Sequence, residues 1–277
     1  AYTTFYERKL AALIQLRIGP NRAGPGGWLQ PAADGVKLIF KEEFTPSEAY
    51  KFVFVLAPII TVVPALVIMA VVPWGDVVNI FGRMVPLHIA DINVAVLYIL
   101  SVASVSVYGI VLAGWASNNK YALLGAFRAV AQLISYEVPM LLTLLVPVLL
   151  ARSMGMMTVV EVQSTWFIVL APVAGLIFLV SSIAEVGRTP FDLIEAESEI
   201  VAGYHTEYTG MKFGLFFAAE ILHAFTVGVL FAILYLGGWR GPGVEQFPIL
   251  GMFYLMAKST IGYFIVMWVR STLPRIR

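Results

Sequence analysis

FVFVLAPIITVVPALVIMAVV, residues 52–72, runs for 21 residues without a charged side chain. At 1.5 Å per residue, a helix of that length covers about 30 Å, the thickness of a bilayer's hydrocarbon layer. Working outward from it, comparable apolar runs recur near 92–114, 128–150, 164–186, 213–236 and 249–269. Residues 1–16, AYTTFYERKLAALIQL, read as the end of a seventh helix, because their apolar run is too short for a signal peptide. The expected fold is all-α: a polytopic transmembrane helical bundle of six full spans plus a truncated N-terminal helix, with amphipathic and short helices on one side. Residues 1–277 are expected to form a single integral membrane domain. Composition agrees, since 60% of residues are apolar and 13% are charged, about half the charged share of a soluble domain.

Lysine and arginine resist translocation and so report which loops stay inside. Fourteen of the eighteen basic residues fall in alternate connections: Arg8, Lys9, Arg17, Arg22, Lys37, Lys41, Lys51, Lys120, Arg128, Arg188, Lys212, Arg270, Arg275 and Arg277. The opposite side holds Arg83, Arg152 and Arg240, while Lys258 lies within a span. Loops 17–51, 115–127 and 187–212 are therefore expected to face the cytoplasm or an equivalent compartment.

The chain has no cysteine, which excludes disulfides, thiolate zinc sites and iron–sulfur clusters ligated by this chain. Neither G-x-x-x-x-G-K-[ST] nor G-x-G-x-x-G occurs, and the net charge is +1, so neither a nucleotide nor a nucleic-acid partner is expected. Redox cofactors have to come from elsewhere.

Three loop segments on the basic side carry most of the polar information. In QLRIGPNRAGPGGWLQPAADGVKLIFKEEFTP, residues 15–46, turn signals precede an expected helix from Gln30 to Glu43, with Asp34, Lys37 and Lys41 on one face and Ala33, Val36 and Phe40 on another. It is too short to span and reads as interfacial. GWASNNKYALLGAFRAVAQLISYEV, residues 114–138, leads into a span that carries Glu137. RTPFDLIEAESEIVAGYHTEY, residues 188–208, holds five carboxylates in an otherwise apolar chain. There Thr189 is expected to cap a helix, with Pro190 at its first position and Gly203 at its end. Asp192, Glu195 and Glu199 would then share a face at i, i+3, i+7, close enough to raise one another's proton affinity.

Glu137, Glu220 and Lys258 lie inside spans, where a charge costs about 2.5–3.5 kcal/mol on insertion scales and is normally turned toward protein or water. Pairing of Lys258 with a glutamate is expected on either a structural or a proton-conducting reading. Stepwise proton transfer requires groups that exist both charged and neutral near pH 7, which a chain of neighbouring carboxylates supplies. Glu220 and His223 also make E-x-x-H, the spacing of one half of a di-iron centre, but neither His88 nor His205 repeats it. The three histidines fall at different depths, against a membrane haem. An autonomous ion-coupled transporter remains an alternative, although no two matching halves are visible.

At ERKLAALIQLRIGPNRAGP (7–25), GWASNNKYALLGAFRAVAQLISYE (114–137) and AEVGRTPFDLIEAESEIVAGYHTEYTGMKFGLFF (184–217), the chain resembles the quinone-site membrane subunit of respiratory complex I, the H subunit of NADH:quinone oxidoreductase, called subunit 1 in mitochondria. Members of that family usually carry a complete helix before E-R-K and further membrane helix after P-R-I-R, residues 274–277 here. The resemblance implies an enzyme subunit with no complete active site of its own and no bound cofactor, with quinone as substrate and with NADH, FMN and iron–sulfur clusters in partner subunits. It implies as partners the other complex I membrane subunits, peripheral-arm subunits on the cytoplasmic face, and membrane lipid, with a bacterial inner membrane, or the mitochondrial one as its equivalent, as location. Carried over residue by residue, Arg8, Gln15, Arg17, Asp34 and Phe217 would line the quinone entry. Glu137, Glu185, Arg188, Asp192, Glu195, Glu197, Glu199, Glu207 and Glu220, together with Lys258, would form a proton path. A related membrane subunit of a proton-pumping hydrogenase complex is the alternative within the superfamily.

Overall fold

A computed structural model describes residues 2–80, 82–193 and 201–276. In chain order it contains α1 (Tyr2–Ile14), α2 (Gln30–Phe40), α3 (Lys51–Ile68), a hairpin of β1 (Val77–Ile80) and β2 (Arg83–Pro86), α4 (Ala95–Ala116), α5 (Lys120–Ala151), α6 (Met156–Val162), α7 (Phe167–Leu170), α8 (Pro172–Glu185), α9 (Gly210–Tyr235) and α10 (Ile249–Thr272). Among the described residues, five helices, α3, α4, α5, α9 and α10, are long and apolar enough to cross a bilayer. On α3, Val55, Ile59, Val63 and Leu66 stand 44–55% exposed at near-helical spacing, the outward apolar stripe that lipid tolerates and water does not. Helix α9 is the most enclosed of the five and packs against α3, α8 and α10.

Helices in lipid gain little from burying leucine against leucine, so small residues that let backbones approach decide their packing. The α9–α10 crossing shows this at Gly228 and Gly262. A β-carbon at Gly228 would stand 2.6 Å from Ser259 O, and one at Gly262 would stand 2.9 Å from Gly228 Cα.

Several expectations are corrected. The segment 164–186 is not one helix: α7 ends at Leu170 and α8 begins at Pro172, with Ala171 between them at φ −135°, ψ 63°. A residue before proline is driven out of the α region, and proline favours the first turn of the helix it opens. The fold is not purely helical either, since β1 and β2 pair antiparallel with Val77 opposite Pro86 and Ile80 opposite Arg83. Helix α2 stops at Phe40, three residues before Glu43, because the following strand of chain is held at the start of α9. There Phe44 N donates to Thr209 Oγ1 at 3.1 Å, and Lys212 Nζ lies 3.3 Å from Glu43 Oε2. Conversely, α5 begins eight residues before the expected span, at Lys120, with the Asn119 side chain accepting from Tyr121 N at 2.9 Å as its N-cap.

The helix expected from Pro190 does not start there. Residues 189–193 form turns, and the carbonyls that a first helical turn would use are taken by distant donors: Pro190 O by Ile276 N at 2.9 Å and Phe191 O by Gln132 Nε2 at 2.8 Å. Glu195 and Glu199 lie outside the described residues, so of that expected acidic face only Asp192 is described. Gly203 opens a short 3-10 turn, Gly203–His205, with φ +69°, rather than closing a helix.

Helix α5 carries Pro147, which has no N–H to give the carbonyl of Thr143. The hydroxyl of Tyr235, at the end of α9, donates to that carbonyl at 2.7 Å in a fully buried position. In lipid an orphaned carbonyl has no solvent to turn to. Tyr235→Phe is expected to cost about 1–3 kcal/mol, read as a fall in the midpoint of thermal unfolding in detergent, with helix content unchanged by circular dichroism.

Candidate functional site

A cavity of about 110 Å³ lies among α3, α4, α5, α8 and α9. Glu137 reaches it from α5, Glu185 from the last residue of α8, and Glu220 and His223 from one face of α9, with Ser104 and Thr61 from α4 and α3 completing the polar lining. The Ser104 hydroxyl donates to Glu137 Oε1. Glu185 Oε2 and His223 Nε2 are buried and reach no hydrogen-bond partner among the described residues. Buried polar atoms of this kind are ordinarily satisfied by water, and a water needs roughly 10–15 Å³ of such space, so the cavity has room for several.

Beside it sits a chain of alternating charge. After α8, Gly187 adopts φ +69°, its N–H reaches Ala184 O at 3.2 Å, and Arg188 N reaches Ile183 O at 3.2 Å. That pair of bonds is a Schellman termination, which glycine at this position permits. The turn throws the Arg188 side chain inward, where it is 2% exposed. Its Nη1 donates to Glu7 Oε1 at 3.1 Å, and its Nε stands 2.9 Å from Glu220 Oε1, an electrostatic contact rather than an aligned hydrogen bond. Glu7 also pairs with Arg270 of α10. Gln132 of α5 fixes the turn from the other side, donating to Ala184 O at 2.7 Å as well as to Phe191 O.

Of the expected relay residues, Glu137, Glu185 and Glu220 thus come together, with Arg188 in contact with Glu220 and Asp192 half-buried in the adjoining turn. Glu207 lies elsewhere, accepting from Asn119 Nδ2 at 2.7 Å near the start of α5. Glu195, Glu197 and Glu199 are outside the described residues. Lys258 pairs with no glutamate among the described residues: its Nζ donates to Gly238 O at 2.9 Å and Arg240 O at 2.8 Å and stands 5.6 Å from the Trp166 ring centre. A lysine stem is long enough to carry its ammonium to the loop beyond a helix end, and the α9–α10 loop turns its carbonyls toward it.

The expected quinone-entry residues cluster around α1 and α2. Arg8 Nη1 lies 2.6 Å from Asp34 Oδ2, Gln30 Nε2 donates to Asp34 Oδ1 at 2.9 Å, and Arg17 Nε donates to Gln15 Oε1 at 2.7 Å. Phe217 is on α9, one turn past Gly214, where Leu38 of α2 packs, and stacks on Phe213 at 6.4 Å. Glu7 is the residue sequence reasoning missed. Its signal was present in E-R-K, where the basic neighbours drew attention and the acid did not. No three His, Cys, Asp or Glu side chains among the described residues come close enough to share a metal ion.

In the loop between these regions, the His205 ring meets Tyr204 at 5.1 Å and Phe213 at 5.4 Å. Burial lowers its pKa to about 4. Burial also raises the Tyr208 hydroxyl above the usual tyrosine range, and that ring stacks on Phe54 at 4.0 Å.

The fold and cavity define a polytopic helical membrane protein with an ionisable interior. A family model described as NADH dehydrogenase matches residues 1–277. A Geobacter metallireducens protein described as an H subunit of NADH-quinone oxidoreductase is 50% identical over 278 residues, which cover all of this chain and 83% of that one. A Protochlamydia amoebophila protein, also described as the H subunit of NADH-quinone oxidoreductase, is 50% identical over 278 residues, covering all of this chain and 84% of its own. The chain belongs to the NADH dehydrogenase family, among the H subunits of NADH-quinone oxidoreductase.

Removing one partner of a buried ion pair leaves an uncompensated charge and costs about 3–5 kcal/mol. Glu7→Gln, which leaves Arg188 and Arg270 facing each other, is expected to lower the unfolding midpoint and the yield of assembled complex. Arg270→Gln, at the more exposed end of the chain of charges, is expected to do so less. His205 generates a pH effect of defined sign. Above pH ~6.5 it is neutral whether the loop is docked or open. As pH falls from ~6.5 toward about 4 the open loop takes up a proton that the docked loop refuses, so docking weakens. Amide protection of residues 203–208, corrected for intrinsic exchange, is expected to fall between pH 7.5 and pH 5, and His205→Asn to flatten that dependence.

Proposed function

We propose that this chain, a membrane subunit of NADH-quinone oxidoreductase, encloses the end of the quinone chamber and passes the charge change of quinone reduction into a protonation change of its buried carboxylates. The carrying observation is that Glu137, Glu185 and Glu220, from three different helices, line one cavity, and that Glu220 meets the buried guanidinium of Arg188. In this reading Arg8, Gln15, Arg17, Asp34 and Phe217 border quinone entry between α1, α2 and α9. Asp192, Glu195, Glu197, Glu199 and Glu207 connect the chamber with the cavity from the loop side, and Lys258 has its place at the far end.

The electrostatics have a suitable size. One unit of charge appearing about 10 Å from a carboxylate, at an effective dielectric constant near 20, changes its proton affinity by about 1.7 kcal/mol, slightly more than one pKa unit. That is enough to move a proton between neighbours already close in affinity, and too little to act across the whole bilayer in one step. Several acids at short spacing are what such coupling needs, and the shared cavity supplies both the spacing and room for bridging water.

The same reading makes the α7–α8 segment a sixth crossing in two pieces. It places loops 17–51, 115–127 and 187–212 against peripheral-arm subunits that carry FMN and iron–sulfur clusters and oxidise NADH, with this chain beside other membrane subunits and lipid in a bacterial inner membrane.

Glu199→Gln is expected to leave the complex assembled, and Glu220→Gln to leave it assembled at a lowered yield because Arg188 loses one of its two anions; in both, NADH oxidation with a hydrophilic acceptor stays intact per assembled complex, while quinone reduction falls about tenfold and proton pumping with it. The measurement is pumping per NADH in proteoliposomes. Wild-type pumping in the assembled double variant would sink the proposal.

A further inference from the structure

We propose that His223 is a proton carrier in the acid-lined cavity, acting among Glu220, Glu137 and Glu185; the inference rests on the relay reading above. The sequence places His223 one turn beyond Glu220 on α9, so both side chains emerge from the same face. The structure puts both into the lining of one cavity, with Glu137 arriving from α5 and Glu185 from α8. The imidazole Nε2 is shut off from the outside and touches no hydrogen-bond partner among the described residues. A histidine kept only for packing has no use for a polar atom turned into an apolar core. A histidine whose ring lines the same water-sized cavity as three carboxylates is positioned to exchange a proton with them.

Chemistry distinguishes imidazole from a fourth carboxyl here. Another glutamate would add a negative charge to a cavity that already holds three acids. Imidazole is neutral in one state and cationic in the other, so its cationic form is stabilised by the same carboxylates that would repel an extra anion. The transfer balances without any other reactant. A carboxyl O–H gives its proton, through a bridging water, to the Nε2 lone pair, leaving carboxylate and imidazolium; the imidazolium then returns one proton to a second carboxylate, restoring neutral imidazole. Asp, Glu and His chains of this kind are the ordinary currency of proton movement inside membranes. The titratable groups that line the cavity with His223 are Glu220 on its own helix, Glu137 on α5, Glu185 on α8 and Tyr204 from the 3-10 turn, with the Ser104 hydroxyl on α4 beside Glu137.

The test uses the assembled complex in proteoliposomes, as wild type, His223→Asn and Glu185→Gln. Asparagine approximates the shape and hydrogen bonding of histidine but does not titrate. Readouts are NADH oxidation with a hydrophilic acceptor, quinone reduction between pH 6 and 9, its H₂O/D₂O isotope effect, and protons pumped per NADH. His223→Asn is expected to keep acceptor activity and assembly, to slow quinone reduction at least fivefold, to flatten the pH profile between pH 6 and 8, and to alter the isotope effect. If its pH profile, isotope effect and pumping match wild type while Glu185→Gln stops pumping, His223 is no carrier and the carboxylate reading stands. If both variants pump as wild type, the carboxylate reading fails and this inference with it. Should His223→Asn not assemble, His223→Gln replaces it, and failure of both to assemble would assign His223 a packing role and overturn the proposal.

Discussion

A guanidinium that is 2% exposed persists inside a lipid-embedded protein only if anions are brought to it, and Arg188 organises its surroundings accordingly. Glu7 comes from α1, Glu220 from α9, and Arg270 from α10 closes the series. Two cations alternate with two anions, so the group carries no net charge and its burial is tolerable. Its members are separated by up to 263 positions (270 minus 7) in the chain. Satisfying one arginine therefore fixes how the first and last helices sit on the central one, and the Schellman turn at Gly187 is the local device that aims the side chain inward. The other half of the polar interior is built differently. Glu137 has the Ser104 hydroxyl, and Glu185 keeps one oxygen without a partner among the described residues, an arrangement that favours the neutral carboxyl over a buried charge.

That contrast explains which parts of the molecule are legible in the sequence. Long uncharged runs and the alternation of basic loops reveal α3, α4, α5, α9 and α10, because crossing a bilayer constrains composition directly. Arg188 and the intramembrane glutamates stand out for the same reason. Glu7 does not, since an acid beside Arg8 and Lys9 looks like part of a wetted helix end, and its partner is 181 positions away. Lys258 misleads in the opposite sense: position along the helix puts it deep, but its flexible stem delivers the charge to carbonyls of the α9–α10 loop. The expected helix does not start at Pro190, where donors from the C-terminal tail and α5 occupy the Pro190 and Phe191 carbonyls, a tertiary effect no local pattern encodes. The break at Pro172, by contrast, is written in the sequence but masked by the apolar run around it.

The cavity's position follows from where the helices cannot separate. Beyond it, along α9, Gly228 and Gly262 hold α10 at backbone contact, and the Tyr235 hydroxyl locks α9 to the carbonyl freed by Pro147 in α5. Toward the loops, Gly187 and Tyr204 line the cavity, and Tyr204 follows Gly203, whose backbone lies so close to Gly125 of α5 that a β-carbon there would stand 2.7 Å away. Opening or tightening that wall changes the water content of the cavity, and with it the effective dielectric constant through which the carboxylates interact. The cavity is bounded on the loop side by turns, the side on which Arg188, Asp192 and the 3-10 turn lie, so a charge change there acts on the carboxylates over the shortest path.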